Sequence, residues 1–134
     1  MRNSGDAFHI AVPAHDLDDA ARFYNQLLGC PIARRYADRV TFDFFGDQLV
    51  CHHSPHEPVA ARPRLYPRHF GVTFRSTADF DALLRLVEVR KVPVFQEVRS
   101  RFAGTVEEHR TLVLVDPTGN LLEFKHYTDP RMMY

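Results

Sequence analysis

Short runs of alternating apolar and polar residues dominate this chain, and twice the alternation gives way to a helical spacing. Residues 7–13 place Phe8, Ile10 and Val12 on one face of a strand and His9, Ala11 and Pro13 on the other. Asp16 stands where a helix cap belongs. From Leu17 onward, Ala20, Phe23, Tyr24, Leu27 and Leu28 follow at i, i+3, i+4 spacing until Gly29 and Pro31 stop the helix. Three strands are predicted next, over 32–37, 39–45 and 47–53, with Gly46-Asp47 as the hairpin signal between the last two.

Pro55, Pro58, Pro63 and Pro67 then mark residues 54–67 as an exposed linker. After it the order repeats. A strand is predicted over 68–75, followed by a helix capped by Ser76 or Thr77 with Phe80, Leu83, Leu84 and Val87 on one face. Further strands fall near 94–102, 109–115 and 120–126. The fold class is therefore α+β. Two tandem βαβββ modules, about 5–54 and 67–127, form one domain in which a curved sheet bears a cleft and the helices lie outside. Such a cleft is a natural place for a small-molecule ligand.

Composition narrows the function classes. The chain has 134 residues, enough for one domain with a real core, and equal numbers of acidic and basic side chains, 17 each. Its arginines cluster at Arg34-Arg35, Arg62-Arg64-Arg68 and Arg99-Arg101, but acids interrupt them, which argues against a nucleic-acid partner. Cys30 and Cys51 form no CxxC unit and are expected as buried free thiols. No apolar run is long enough for a membrane span and no signal-peptide pattern opens the chain, so a soluble, cytoplasmic protein is expected.

Eight histidines make metal chemistry worth testing. Strand parity supplies the test. His9 lies opposite Phe8, Ile10 and Val12. His69 shares a face with Gly71 and Thr73, opposite Phe70, Val72 and Phe74. Glu123 lies opposite Leu122 and Phe124. If the apolar faces pack on the helices, His9, His69 and Glu123 all point into the cleft, as a His-His-Glu facial triad for a divalent metal such as Fe(II), Zn, Ni or Mn. The competing reading is two hydrogen-bonded histidines and a salt-bridged glutamate lining an ordinary cavity.

In the first module, aligning Gly46 with Gly119 sets Val50 opposite Glu123. Val50 cannot ligate; His52 and Gln48 share its face, and His52 is the expected fourth ligand. His53 is expected to serve structure, His56 to be solvated, and His15 to sit by the helix cap. His109 and His126 flank strand ends, with His126 turned away from Glu123. Tyr36, Arg99, Arg101 and Arg110 are candidate pocket residues. The tail ending in Met132-Met133-Tyr134 is apolar enough to cover the cleft mouth or to meet a second subunit.

Four motifs carry a family resemblance across nearly the whole chain: Phe8-His9-Ile10-Ala11-Val12; Asp16-Leu17 through Phe23-Tyr24-Asn25-Gln26-Leu27-Leu28-Gly29; His69-Phe70-Gly71-Val72; and Asp116-Pro117-Thr118-Gly119-Asn120-Leu121-Leu122-Glu123-Phe124. In this order they resemble the vicinal oxygen chelate superfamily of glyoxalase I, extradiol dioxygenases, and fosfomycin- and bleomycin-resistance proteins. The resemblance implies a metal-dependent lyase or dioxygenase, with Glu123 as both ligand and catalytic base, acting on a small molecule that chelates the metal through adjacent oxygens. It also implies a homodimer. A glyoxalase-like site uses a ligand from the strand that holds His52; an extradiol site does without one. Within the same superfamily, a metal-free drug-binding protein and a fosfomycin-type thiol transferase are the alternatives.

Overall fold

The computed structural model describes residues 1–60 and 62–134. It divides into two compact units, Met1–Val59 and Ala60–Tyr134, and the division falls inside the proline-rich stretch. Each unit is a βαβββ module.

In the first unit, strand β1 (His9–Ala14) leads into helix α1 (Leu17–Ala21), and strands β2 (Ile32–Arg35), β3 (Arg39–Phe44) and β4 (Asp47–His53) follow. Their order in the sheet is β1-β4-β3-β2, so the first strand lies parallel to the last. Asp16 caps α1 as expected, its carboxylate accepting from the backbone N–H groups of Asp18 and Asp19. The helix does not run on regularly to Leu28. Residues Arg22–Leu27 widen into a π-helical segment, in which the Leu28 N–H reaches back to the Phe23 carbonyl at 2.9 Å. This segment carries Phe23 and Tyr24 into the core, where Tyr24 meets both Phe23 and Phe42. Gly29 ends it with φ 86°.

The hairpin between β3 and β4 turns on Phe45-Gly46, one residue earlier than the sequence suggested. Both have positive φ, and Phe44 pairs directly with Asp47. Asp47 instead belongs to the strand, where its carboxylate accepts from the Phe8 N–H.

The second unit repeats the plan with strand β5 (Thr73–Phe74), helix α2 (Thr77–Arg90), and strands β6 (Val94–Arg101), β7 (His109–Val115) and β8 (Leu121–Tyr127), ordered β5-β8-β7-β6. Ser76 caps α2. Phe80, Leu83 and Val87 of the helix are buried, as are Leu112, Leu114, Leu122 and Phe124 of the sheet. The strand predicted over 68–75 is regular only at its end. Its earlier residues still follow β8: Phe70 bridges Leu122, and the N–H groups of Glu123 and Lys125 donate to the carbonyls of Phe70 and Val72.

Candidate metal site

Glu123 is a buried, closely partnered acid of the second unit. It lies mid-strand in β8, paired with Val113 of β7 and 5% exposed. The turn that launches β8 is built by Asp116. Its Oδ1 accepts from the N–H groups of Thr118 and Asn120, and its Oδ2 accepts from the Asn120 side chain. A buried carboxylate is costly unless hydrogen-bonded and paired. Here the Thr111 hydroxyl donates to Oε1 at 2.9 Å, and the Lys125 ammonium lies 3.1 Å from Oε2.

The third neighbour of Glu123 is His69, whose Nε2 is 3.1 Å from Oε2. His69 Nδ1 is 2.8 Å from the Leu65 carbonyl, which can only accept. Nδ1 therefore carries a proton, and in the neutral ring Nε2 presents a lone pair to a carboxylate oxygen. Two acceptors so placed need a proton or a cation between them. A backbone carbonyl fixing Nδ1–H and leaving Nε2 bare is the usual support of a metal-binding histidine. Two ligands about 2.0–2.2 Å from one ion, at right angles, lie about 3 Å apart. On donor type, tautomer and spacing, His69 and Glu123 fit a divalent metal.

His9 in the first unit has the same design with a different support. Its Nδ1 is 2.5 Å from Gln48 Oε1, an amide oxygen that accepts, so again Nε2 is bare. The parallel register sets His9 beside Gln48 and sets His52 beside Pro13, four residues further along, or about 13 Å at strand rise. His52 is thus on the expected face but far along the strand from His9, and no register shift brings it back. The equivalence of the modules holds in detail: His9 faces Gln48 as His69 faces Leu121, and buried Val50 stands where Glu123 stands. Among the described residues, no group of three or more His, Cys, Asp or Glu side chains is gathered closely enough to hold an ion. Each unit has its own candidate residues: His9 with Gln48 in the first, His69 with Glu123 in the second.

The other candidates fall mostly outside these two groups. His126 turns to the helix side, between the Thr77 hydroxyl and the Phe74 carbonyl. His109 is buried against Tyr127 with Nδ1 on the Glu107 carbonyl. His15 Nε2 meets the Glu57 carbonyl. His53 lines a surface cleft with Asp16, Asp18, Arg35 and Tyr36. Arg110 does not face the pocket. It pairs with Asp81 of α2 at 2.7 Å and lies over the Phe80 ring, because β7 alternates and Thr111 takes the other face. Arg99 and Arg101 pair with Thr111 and His109 and do lie on the Glu123 face. The tail forms a short turn, Pro130–Met133. Both cysteines are free and buried, and burial, helped by the Asp43 carboxylate, pushes the Cys30 thiol up to about 12.

Sequence reasoning missed Thr111, Lys125 and the supporting role of Gln48. Lys125 was within reach of the same argument that found Glu123, since it lies two residues further on the same strand face.

No helix among the described residues is long and apolar enough to cross a membrane. Comparison with known proteins agrees with the fold. A crystal structure of a glyoxalase/bleomycin resistance protein/dioxygenase from Alicyclobacillus acidocaldarius is 54% identical, with a TM-score of 0.94 and 100% of both chains covered. A lactoylglutathione lyase from Agrobacterium tumefaciens shares the fold at 20% identity and TM-score 0.66, covering 93% of this chain and 96% of its own. A genomically encoded fosfomycin resistance protein from Listeria monocytogenes does so at 16% identity and TM-score 0.70, covering 96% and 98%. No curated protein matches the chain. The family model described as Glyoxalase/Bleomycin resistance protein/Dioxygenase superfamily matches residues 7–124, and the chain belongs to that superfamily.

Proposed function

We propose that this protein is a divalent-metal-dependent enzyme of the glyoxalase/dioxygenase type, acting on a small molecule that offers two adjacent oxygens. The reading rests on one observation above the others: His69 Nε2 faces Glu123 Oε2 at 3.1 Å while the Leu65 carbonyl holds the other ring nitrogen. The proposed ligands are His9, His69 and Glu123. In this reading Gln48 orients His9, and His52, four residues further along the strand pair, is not counted as a ligand. Three protein ligands with open positions are the pattern of non-haem Fe(II) sites, which favours the dioxygenase branch over one that needs a fourth protein ligand. When bound, a divalent metal supplies Lewis-acid stabilisation of charge developing on the chelated oxygens.

The chain's own residues do the rest. Thr111 fixes one oxygen of Glu123, leaving the other to ligate or to move a proton. Small-molecule binding and dimer formation, which the superfamily suggests, belong to the same proposal.

One observation favours a second reading, a metal-free binding protein: the Lys125 ammonium already neutralises Glu123 at the oxygen a metal would take. Metal content separates the two. Plasma mass spectrometry on untagged protein, reconstituted anaerobically with Fe(II), Ni and Zn, is expected to find near-stoichiometric metal. Glu123→Ala and His69→Ala are expected to lose it with unchanged circular dichroism. Absence of metal in the parent protein, or unchanged stoichiometry in Glu123→Ala, would overturn the enzyme reading.

A further inference from the structure

The sheet face that carries Glu123 holds more cationic and donor groups than that carboxylate uses. In the ladder β6-β7-β8, Arg99 pairs with Thr111, and Thr111 pairs with Lys125, so these three form one row on one face. The next row is Gln96, Val113 and Glu123. Thr111 donating to Glu123 confirms that the rows share a face. The opposite face is filled by α2, against which Val94, Val98 and Leu112 line a groove with Leu84 and Val87.

Three features of these rows bear on a further partner. First, Arg99 is exposed and no carboxylate among the described residues pairs with it. Second, Gln96 Nε2 is buried without a hydrogen-bond partner, the one such side-chain atom among the described residues. A buried donor left unpaired is costly, so the fold itself does not fix this carboxamide. A half-turn of the carboxamide exchanges Nε2 and Oε1, so the same side chain can offer its donor on either side. Irregularities in the β6–β7 ladder fall on both sides of Gln96, between Val94 and Gln96 and between Gln96 and Arg99. Bulges of this kind re-aim side chains beside sites. Third, Lys125 shares Glu123 Oε2 with His69. An ammonium carries three N–H donors, so Lys125 can hold Glu123 and still donate to a second acceptor.

Arg99 and Lys125 are two strand spacings apart, about 10 Å between backbones, which is less than the combined reach of the two side chains. Both can converge on a group held above Thr111. The only acidic side chain in the two rows is Glu123 itself.

We propose that Gln96, Arg99 and Lys125 form an oxyanion subsite that receives a carboxylate or phosphoryl group of the substrate, beside the position of its chelating oxygens. This assignment rests on the proposed function for the identity of the occupant as substrate, but the subsite itself is testable without metal. Arginine and lysine are suited to such a group, the first by its planar fork and the second as a point charge. The substrate would then be an acid whose anionic group lies within one or two bonds of its chelating pair, or at the end of a short arm.

The test uses the full chain, 15N-labelled and stripped with EDTA, with inorganic phosphate or acetate added in steps. Saturable shifts are expected for the Gln96 side-chain amide and the Thr111 backbone amide. Arg99→Met should weaken the apparent affinity about tenfold, the loss expected for one charge-assisted contact. Arg85→Met, an exposed change on α2, should leave it unaltered. The stronger of the two anions names the group. Equal affinity in the parent and Arg99→Met, or shifts that do not saturate or that fall elsewhere, would overturn the subsite. A protein that binds phosphate through Arg99 yet takes up no metal would keep the subsite and lose the enzyme reading; the reverse pattern would do the opposite.

Discussion

Asp16 shows how much a single side chain decides here. Its carboxylate accepts from the N–H of Asp19 and from that of Asp18, and these bonds hold it below its ordinary value of 3.8. A carboxylate depressed by folding adds stability above its unfolded value, and that stability is lost as pH falls through the folded one. Asp16→Ala is therefore expected to lower the melting temperature at pH 7 by a few degrees. The gap between parent and variant should close as pH drops below 3.8, which thermal melts across the acid range would check. The cap was legible because it depends on one residue type at one place. The faces of His9, His69 and Glu123 were legible for a similar reason: parity along a strand needs no tertiary knowledge. Which partner each residue meets was not. Gln48 beside His9, and His52 out of range, follow from the pairing of β1 with β4, strands more than thirty residues apart in sequence. Nothing local sets that register.

Among the elements, the strand preceding α2 departs most from its expected form, and Gly71 shows why. A Cβ there would lie 1.8 Å from the Glu123 carbonyl oxygen and 2.7 Å from its carbon. The backbone of the segment thus rests directly on the backbone that carries the candidate ligand, and only glycine permits the approach. Gly71→Ala is expected to destabilise the protein by about 3 kcal/mol or more, as overpacking against a backbone does. It should also impair metal uptake by displacing Glu123. Chemical denaturation and metal content together would check this. The widened turn at Arg22–Leu27 was equally invisible in the sequence. The i, i+3, i+4 spacing of Phe23, Tyr24, Leu27 and Leu28 suits an α-helix, and the extra residue per turn appears only in the backbone bonds. By contrast, β4 and β7 lie where their alternation placed them, over Asp47–His53 and His109–Val115. Both are central strands with one apolar face against a helix, the setting in which a period of two is clearest.

For the molecule as a whole, the repeat was the informative signal. Two βαβββ units follow from the recurrence of strand, cap and helix, and the family follows from motifs spread along the chain. The proline-rich stretch contains the division between Val59 and Ala60. Its backbone is irregular, and Arg64 is exposed, while Arg62 precedes a proline that blocks trypsin. Brief trypsin treatment is expected to cut first after Arg64, giving fragments of residues 1–64 and 65–134 that mass spectrometry would identify. A first cut within β4 or β8 would count against the division. The ion pair between Lys125 and Glu123 has a consequence at this scale. The chain brings its own counter-charge to a buried acid, a charge that an ion would otherwise have to supply. On the proposed function, metal would be acquired afterwards, by exchange with a tethered ammonium, and a shortage of it would silence the protein without unfolding it. A cell starved of that metal would keep a reserve of finished chains, ready to be switched on when supply returned.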